Sequence, residues 1–319
     1  MKISVIICSV NRAAILHDTV LSITRQTYQP MEIFLVSPDK QHILTQTLEI
    51  PGVRFVPGPL GLPSQRNAGL SQANVACDLI AFFDDDIELC TSYLKEMENL
   101  FSRQTNIVIA SGRLLHDGGR GAMITREKSR ELCKLYERDQ THAASTSRYT
   151  SSSSAYGCNM IVRYLATKDM RFDEGLPLYA WLEDRDYSHR LTQHAHMPVE
   201  FSRAVAVHLG SRSGRIGGMR MGFSEIINPL YLWAKNKTFS MSYIIVQYWL
   251  RCLAGNVLGL LKGDSEYDRL GLLKGNIAGF VHLLKGQCDP SYIMQIKPNN
   301  SERKRHDSPH PEAVESTAS

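Results

Sequence analysis

Several signatures are missing from this chain of 319 residues, and each absence excludes something. Its seven cysteines (residues 8, 77, 90, 133, 158, 252 and 288) are odd in number and form no C-x-x-C pair, which excludes a disulfide framework. Reduced, mostly buried thiols of a cytosolic protein are the expectation. Met1-Lys2 leads directly into a strand-like run, without the basic region, apolar core and cleavage site of a secretory signal. Charge is nearly balanced, with 36 Lys and Arg against 32 Asp and Glu, so a nucleic-acid binder with a concentrated basic face is not expected. No uninterrupted apolar run reaches the ~20 residues of a membrane span, because Gln247 and Arg251 break the best candidate. What remains is enough chain for one large domain with an appendage.

The most informative stretch is Leu79 to Glu88. A buried-strand pattern, Leu-Ile-Ala-Phe-Phe, ends abruptly in Asp84-Asp85-Asp86. In extended chain Asp84 and Asp86 share one side and Asp85 takes the other. Adjacent carboxylates repel unless a cation joins them, and oxygen ligands of this kind suit Mg²⁺ or Mn²⁺. An acidic loop capping a helix at 91–100 is the competing reading. Upstream, Ile3–Cys8, Glu32–Val36 and Val53–Val56 read as strands, with a helix over 13–26 and another before the third strand. Strand and helix alternating at this spacing predict a parallel sheet covered on both faces, with ligands at the carboxyl ends of the strands. The turns at 9–12, 37–39 and 84–86 then share one edge.

Ser64 reads as the cap of a helix over 65–76, whose first turn carries Arg66 and suits an anion as well as a plain surface helix. Another strand is predicted over 107–115. Residues 118–154 lose periodicity and end Ser-rich, which reads as a mobile excursion over the sheet edge. Glu183, Asp184 and Asp186 open a helix where its dipole favours acids. Spacing with Tyr187 and Leu191 places Asp184 inward and Asp186 off that face, so Asp184 is either a cap or a catalytic base. The strand ending at His208 is followed by Ser211-Arg212-Ser213-Gly214-Arg215, small and basic residues suited to a diphosphate. Tyr243–Lys262 and Leu270–Leu284 carry aromatics, aliphatics and flanking cations, which suits helices lying in a membrane interface or an ordinary hairpin packed on the domain. Beyond Pro298 nothing is available to bury, and a disordered tail is expected over 298–319.

Taken together, residues 1 to 220 resemble the family 2 glycosyltransferases, inverting enzymes of the GT-A fold. The resemblance is carried by Ile3–Arg12, by Arg66-Asn67-Ala68-Gly69, by Asp84-Asp85-Asp86, by Gly157-Cys158-Asn159-Met160, by Glu183-Asp184 with Asp186, and by the late His208. Where the family has an acidic pair after the second strand, this chain has Ser37-Pro38 with Asp39 displaced.

The resemblance implies an α/β GT-A domain over 1–220, followed by an amphipathic helical segment over 221–297. It implies transfer of a sugar from a nucleotide-diphosphate sugar donor to a hydroxyl of a glycan or lipid-linked acceptor, in surface polysaccharide synthesis. Asp86, Asp84 and His208 would hold Mn²⁺ or Mg²⁺. Ser9, Asn11, Arg12, Asp39, Arg66, Asn67, Asp84, Asp85 and Arg212 would face the donor. Asn159, Trp181 and Glu183 would lie on the acceptor side, with Asp184 as base. The expected location is cytoplasmic, peripheral on the inner face of the cell membrane. A metal-dependent nucleotidyl or phosphoryl transferase, or a non-catalytic nucleotide-sugar-binding scaffold, would use similar residues.

Overall fold

A computed structural model describes residues 1–73, 75–140, 149–193, 197–213, 216–264 and 266–297. The expected tail over 298–319, the Gly214-Arg215 pair and the Ser-rich 141–148 stretch lie outside the described residues.

The apolar runs form the strands their composition implies. In chain order they are β1 (Ile3–Cys8), β2 (Glu32–Ser37), β3 (Val53–Pro57), β4 (Leu79–Asp84), β5 (Ile87–Leu89), β6 (Ile109–Asp117), β7 (Tyr149–Ser151), β8 (Asn159–Arg163) and β9 (Val199–His208). One curled sheet has the order β3-β2-β1-β4-β8-β6-β9-β5, with β7 also on β9. β1 pairs in parallel with β2 and β4, β2 with β3, and β6 with β9; β5, β7 and β8 run the opposite way. Both faces are covered. Ile7, Leu35 and Phe83 pack beneath the helix Ala13–Thr24, while Ile6, Phe34 and Phe82 pack on the other side. Near-continuous hydrophobicity is what such doubly covered strands require. Cys8, Ser37, Asp84, Asp117 and His208 therefore end strands on a single edge.

Three expectations are corrected. The helix expected over 65–76 runs Leu62–Gln72 with Gly61 as its cap, and the Ser64 hydroxyl donates instead to Glu174 (3.0 Å). The supposed excursion after residue 118 contains a regular helix, Arg126–Gln140. Its inward side carries Arg126, Ser129 and Cys133, and Arg126 donates to Glu88 (3.1 Å) and the Ile87 carbonyl (2.8 Å). Cys133, Leu132 and Tyr136 also pack against Cys90, Val205 and Val207, but these apolar residues fill little more than one turn, too short a run for periodicity to stand out beside a guanidinium and a hydroxyl. Finally, the Glu183–Thr192 helix is phased differently from its expected pattern: Asp186 is the fully buried acid and Asp184 the half-buried one.

The C-terminal third is helical: Gly218–Asn236, then Met241–Leu261 with a π-helical stretch Ile244–Leu250, then Arg269–Leu284. Gly218–Asn236 and Arg269–Leu284 touch backbone to backbone; a Cβ on Gly275 would sit 2.1 Å from the Met219 carbonyl oxygen.

Candidate active site

The acid cluster is assembled by register. β5 starts one residue after Asp86, and Ile87 pairs with His208 on β9. That pairing brings His208 Nε2 within 3.2 Å of Asp86 and 3.8 Å of Asp84. On the neighbouring strand Asp117 pairs with His208, and its Oδ1 lies 3.0 Å from the imidazole Nδ1. Asp117 thus orients the ring so that Nε2 faces the two carboxylates. Asp84, Asp86 and His208 offer ligand atoms all within 4.8 Å of one another. One nitrogen and two hard oxygens fit Mn²⁺ or Mg²⁺, with room for waters or diphosphate oxygens.

The electrostatics are those of a charge-dense pocket. Burial works against a charged His208, but hydrogen bonds to Asp117 and Asp86 and the carboxylate charges outweigh it and raise its pKa to about 10. Burial alone would raise Asp86; the His208 hydrogen bond and charge, Arg12 and the Ser211 amide (2.6 Å) bring it down to about 2. Asp85 turns to the other side, set by the turn that it and Asp86 form between β4 and β5. It accepts from Ser9 Oγ (2.6 Å) and from Arg12 (2.6 Å), and burial lifts it to about 6.

Arg66 joins this cluster to the acid-bearing helix. It is 2% exposed, lies over the Phe82 and Phe172 rings, and donates to Glu183 (2.5 Å) and the Gly157 carbonyl (2.8 Å). Its Nη2 is 3.5 Å from Asp84. Burial raises the Glu183 pKa to about 8 despite Arg66. On the other side of Gly157, its amide donates to Asp184 Oδ2 (2.9 Å), while Asp184 Oδ1 accepts from the Arg185 amide (2.8 Å). A Cβ on Gly157 would lie 3.1 Å from Asp184 Cβ and 3.3 Å from the Arg66 guanidinium, so the absent side chain lets the three groups converge. The loop before this helix holds Leu178, Ala180 and Leu182 in left-handed conformations, which bulky residues adopt only when the surroundings impose it.

Several expected donor and acceptor contacts are occupied by the fold itself. Asn67 clamps the 172–174 segment, donating to the Phe172 carbonyl and Glu174 and accepting from the Phe172 amide. Asn159 lies inside the sheet layer, fully buried, and donates to the Gly112 carbonyl. Asp39 is exposed and caps the turn at Lys40–His42. Arg212, next to the Ser211 whose amide donates to Asp86, pairs with Glu266 (2.5 Å). Asp186 accepts from Arg190 (2.7 Å), Asn236 (2.8 Å) and Thr238 (2.8 Å), which makes it a structural anchor. Ser9, Arg12, Asp84, Asp85, Asp86 and His208 do come together, Asn11 is exposed just after β1, and half-buried Trp181 packs edge-on against Tyr248 at 5.3 Å. Asp117 was missed; a carboxylate ending a strand on the ligand edge was its only signal.

The sequence pattern that defines Glycosyl transferase family 2 matches residues 4–170, just over half the chain. The chain belongs to glycosyltransferase family 2. No curated protein sequence matches it. The glycosyltransferase is similar in structure to residues 1–349 of S. aureus TarS, at 14% identity and TM-score 0.55, covering 93% of this chain and 83% of that one. The same fragment in complex with UDP-GlcNAc gives 15% identity and TM-score 0.53, covering 86% and 79%. The mannosyltransferase PcManGT from Pyrobaculum calidifontis, in complex with GDP-Man and Mn²⁺, gives 12% identity and TM-score 0.53, covering 96% and 87%. Against the longer S. aureus TarS chain this glycosyltransferase spans 40% of the length, with TM-score 0.46. At these identities the likeness establishes the GT-A fold. The family match ends before Asp184 and His208.

Proposed function

We propose that this glycosyltransferase moves a sugar from a nucleotide-diphosphate sugar to an acceptor hydroxyl with inversion, in surface glycan or polysaccharide synthesis at the cytoplasmic side of the cell membrane. In this reading residues 1–220 form the transferase domain and 221–297 a helical segment serving the acceptor. One observation carries it: Arg66 ties the Asp84/Asp86/His208 cluster to Glu183, and Gly157 ties Arg66 to Asp184, so a metal-ligand set and an oriented carboxylate share the ligand edge of the sheet. Similar folds hold UDP-GlcNAc, or GDP-Man with Mn²⁺, which supports the donor class and the metal.

Asp84, Asp86 and His208 would hold Mn²⁺ or Mg²⁺, and such an ion offsets charge developing on the departing nucleoside diphosphate. Asp117 keeps the imidazole aimed at that set. Ser9 and Arg12 hold Asp85 at the donor end of β1. Asp184, fixed by two backbone amides, takes the proton of the acceptor hydroxyl as its oxygen attacks the anomeric carbon opposite the diphosphate.

The test is Asp184→Asn, assayed by release of nucleoside diphosphate and by the anomeric configuration of the product. Loss of a positioned general base lowers turnover by ~10²–10⁴-fold with donor affinity kept. Full turnover in Asp184→Asn would remove the base, and retained anomeric configuration would remove inversion. Release of pyrophosphate points instead to nucleotidyl transfer. Donor binding without any turnover points to a scaffold.

A further inference from the structure

The helices Met241–Leu261 and Arg269–Leu284 turn large apolar residues outward. Helices normally bury their apolar stripe and expose the polar one. Here the seam between the two helices is polar, although Ile244, Tyr248 and Leu272 are buried as well: Asn256 donates to Glu225 (3.0 Å) and Asn276 (3.1 Å), and Asn276 donates to Glu225 (2.8 Å) and the Gly222 carbonyl (2.9 Å). Gly271, Gly275 and Gly279 lie on the same buried side as Asn276, with Leu272 and His282. The outward side of Met241–Leu261 carries Val246, Leu250, Val257 and Leu261, spaced by four, seven and four residues, with Leu261 77% exposed. Ile277, Val281 and Leu284 repeat the pattern on Arg269–Leu284, with Leu284 88% exposed. Because the two helices are joined through Asn256 and Asn276, the stripes lie side by side.

Charge decides what covers them. Residues 241–262 and 269–286 contain no acid, and exposed cations immediately follow the outward leucines: Arg251 after Leu250, Lys262 after Leu261, Lys285 after Leu284. A second copy would bring like charges together, whereas anionic headgroups complement them, with the long stems reaching up from an apolar bed. Met241–Leu261 is 21 residues long, enough to span a bilayer, but Ile244, Tyr248 and Asn256 are buried against the domain, so it lies along the surface. The inner side of this helix reaches the site. Arg185, next to Asp184, donates to Tyr248 (2.7 Å) and Tyr243 (3.2 Å), and Tyr248 packs on Trp181.

We infer that this face seats the protein on an anionic bilayer, and that the acceptor whose hydroxyl reaches Asp184 is a lipid-linked glycan anchored in the same bilayer. Docking stands on the helices alone; the lipid-linked acceptor rests on Asp184 being the acceptor base.

The test is flotation of the full chain with vesicles of phosphatidylcholine, with and without phosphatidylglycerol, beside the triple variant Val246→Glu/Leu250→Glu/Leu261→Glu. The expected result is flotation with anionic vesicles only, weakened by salt, and reduced at least ~10-fold in the variant at unchanged melting temperature. Absence of flotation, equal flotation of the variant, or a dimer that the variant dissolves would each overturn docking. Alkaline-resistant insertion would replace surface docking with spanning. Turnover then separates the halves: the variant should lose transfer to vesicle-borne acceptor while keeping transfer to a water-soluble one. Equal loss on both, or no preference of the wild type for vesicle-borne acceptor, overturns the lipid-linked acceptor. A chain that floats but is inert with every donor keeps docking and sinks the transferase reading.

Discussion

Arg66 and Glu183 are hydrogen-bonded at 2.5 Å in the interior, and the same guanidinium approaches Asp84 at 3.5 Å. One buried cation therefore holds the strand that ends in the acid triplet to the helix that carries Asp184. Removing the guanidinium leaves Glu183, the Gly157 carbonyl and Asp84 without their buried donor. Arg66→Ala is expected to lower unfolding free energy by ~3–5 kcal/mol in a denaturant titration, and Arg66→Met to recover part of it. A loss below ~1 kcal/mol would show that the pair is solvated.

Glu183 also gives a pH dependence. Its folded pKa is raised from 4.5 to about 8, so its contribution to stability is complete below pH 4.5 and lost as pH rises through about 8. Glu183→Gln should flatten the fall in melting temperature over that window. An unchanged pH profile would assign the ionised form to the native state throughout.

Asp186 and Asp184 should separate stability from chemistry. Asp186 is fully buried with three donors, so Asp186→Asn is expected to cost ~3–5 kcal/mol by thermal or chemical denaturation, with turnover of the folded fraction kept. Asp184→Asn should show the reverse. If Asp186→Asn folds normally and is inactive, the base belongs two residues later.

Metal affinity should depend on Asp117, which lies behind His208 and outside the Asp84, Asp86 and His208 ligand set. Asp117→Asn leaves the ligands Asp84, Asp86 and His208 intact but loosens the imidazole, and ~10–100-fold weaker Mn²⁺ binding is expected by calorimetry. Asp86→Ala should abolish metal-dependent donor binding. Equal donor affinity with and without chelator would dismiss the metal.

Gly157→Ala probes the junction. The added methyl would meet Arg66 at 3.3 Å and Asp184 Cβ at 3.1 Å, and Arg66 is too buried to move. Transfer should fall ~100-fold, as misplacement of about 1 Å does, while donor affinity stays. Unimpaired transfer would mean that Asp184 is positioned elsewhere.

Local pattern alone determined much of this. A strand buried on both faces is apolar almost throughout, so β1, β2 and β4 were legible, as was the abrupt end of β4 in Asp84-Asp85-Asp86; the edge strand β3 showed through Val53, Phe55 and Val56. Asp85 does part from its neighbours as expected, but through the turn between β4 and β5, not through extended chain. Helix phase was not legible at Glu183, because Leu182 enters in a left-handed conformation and only tertiary partners decide which acid turns in. Nor did residue type reveal that Asn67 and Asn159 serve the fold, since an amide satisfies a buried carbonyl as readily as a sugar. Asp117 meets His208 only through the pairing of β6 with β9, strands 91 residues apart at that contact. Side-chain chemistry is written in sequence; which groups face the ligand depends on register and packing between distant segments, and only the tertiary structure decided that.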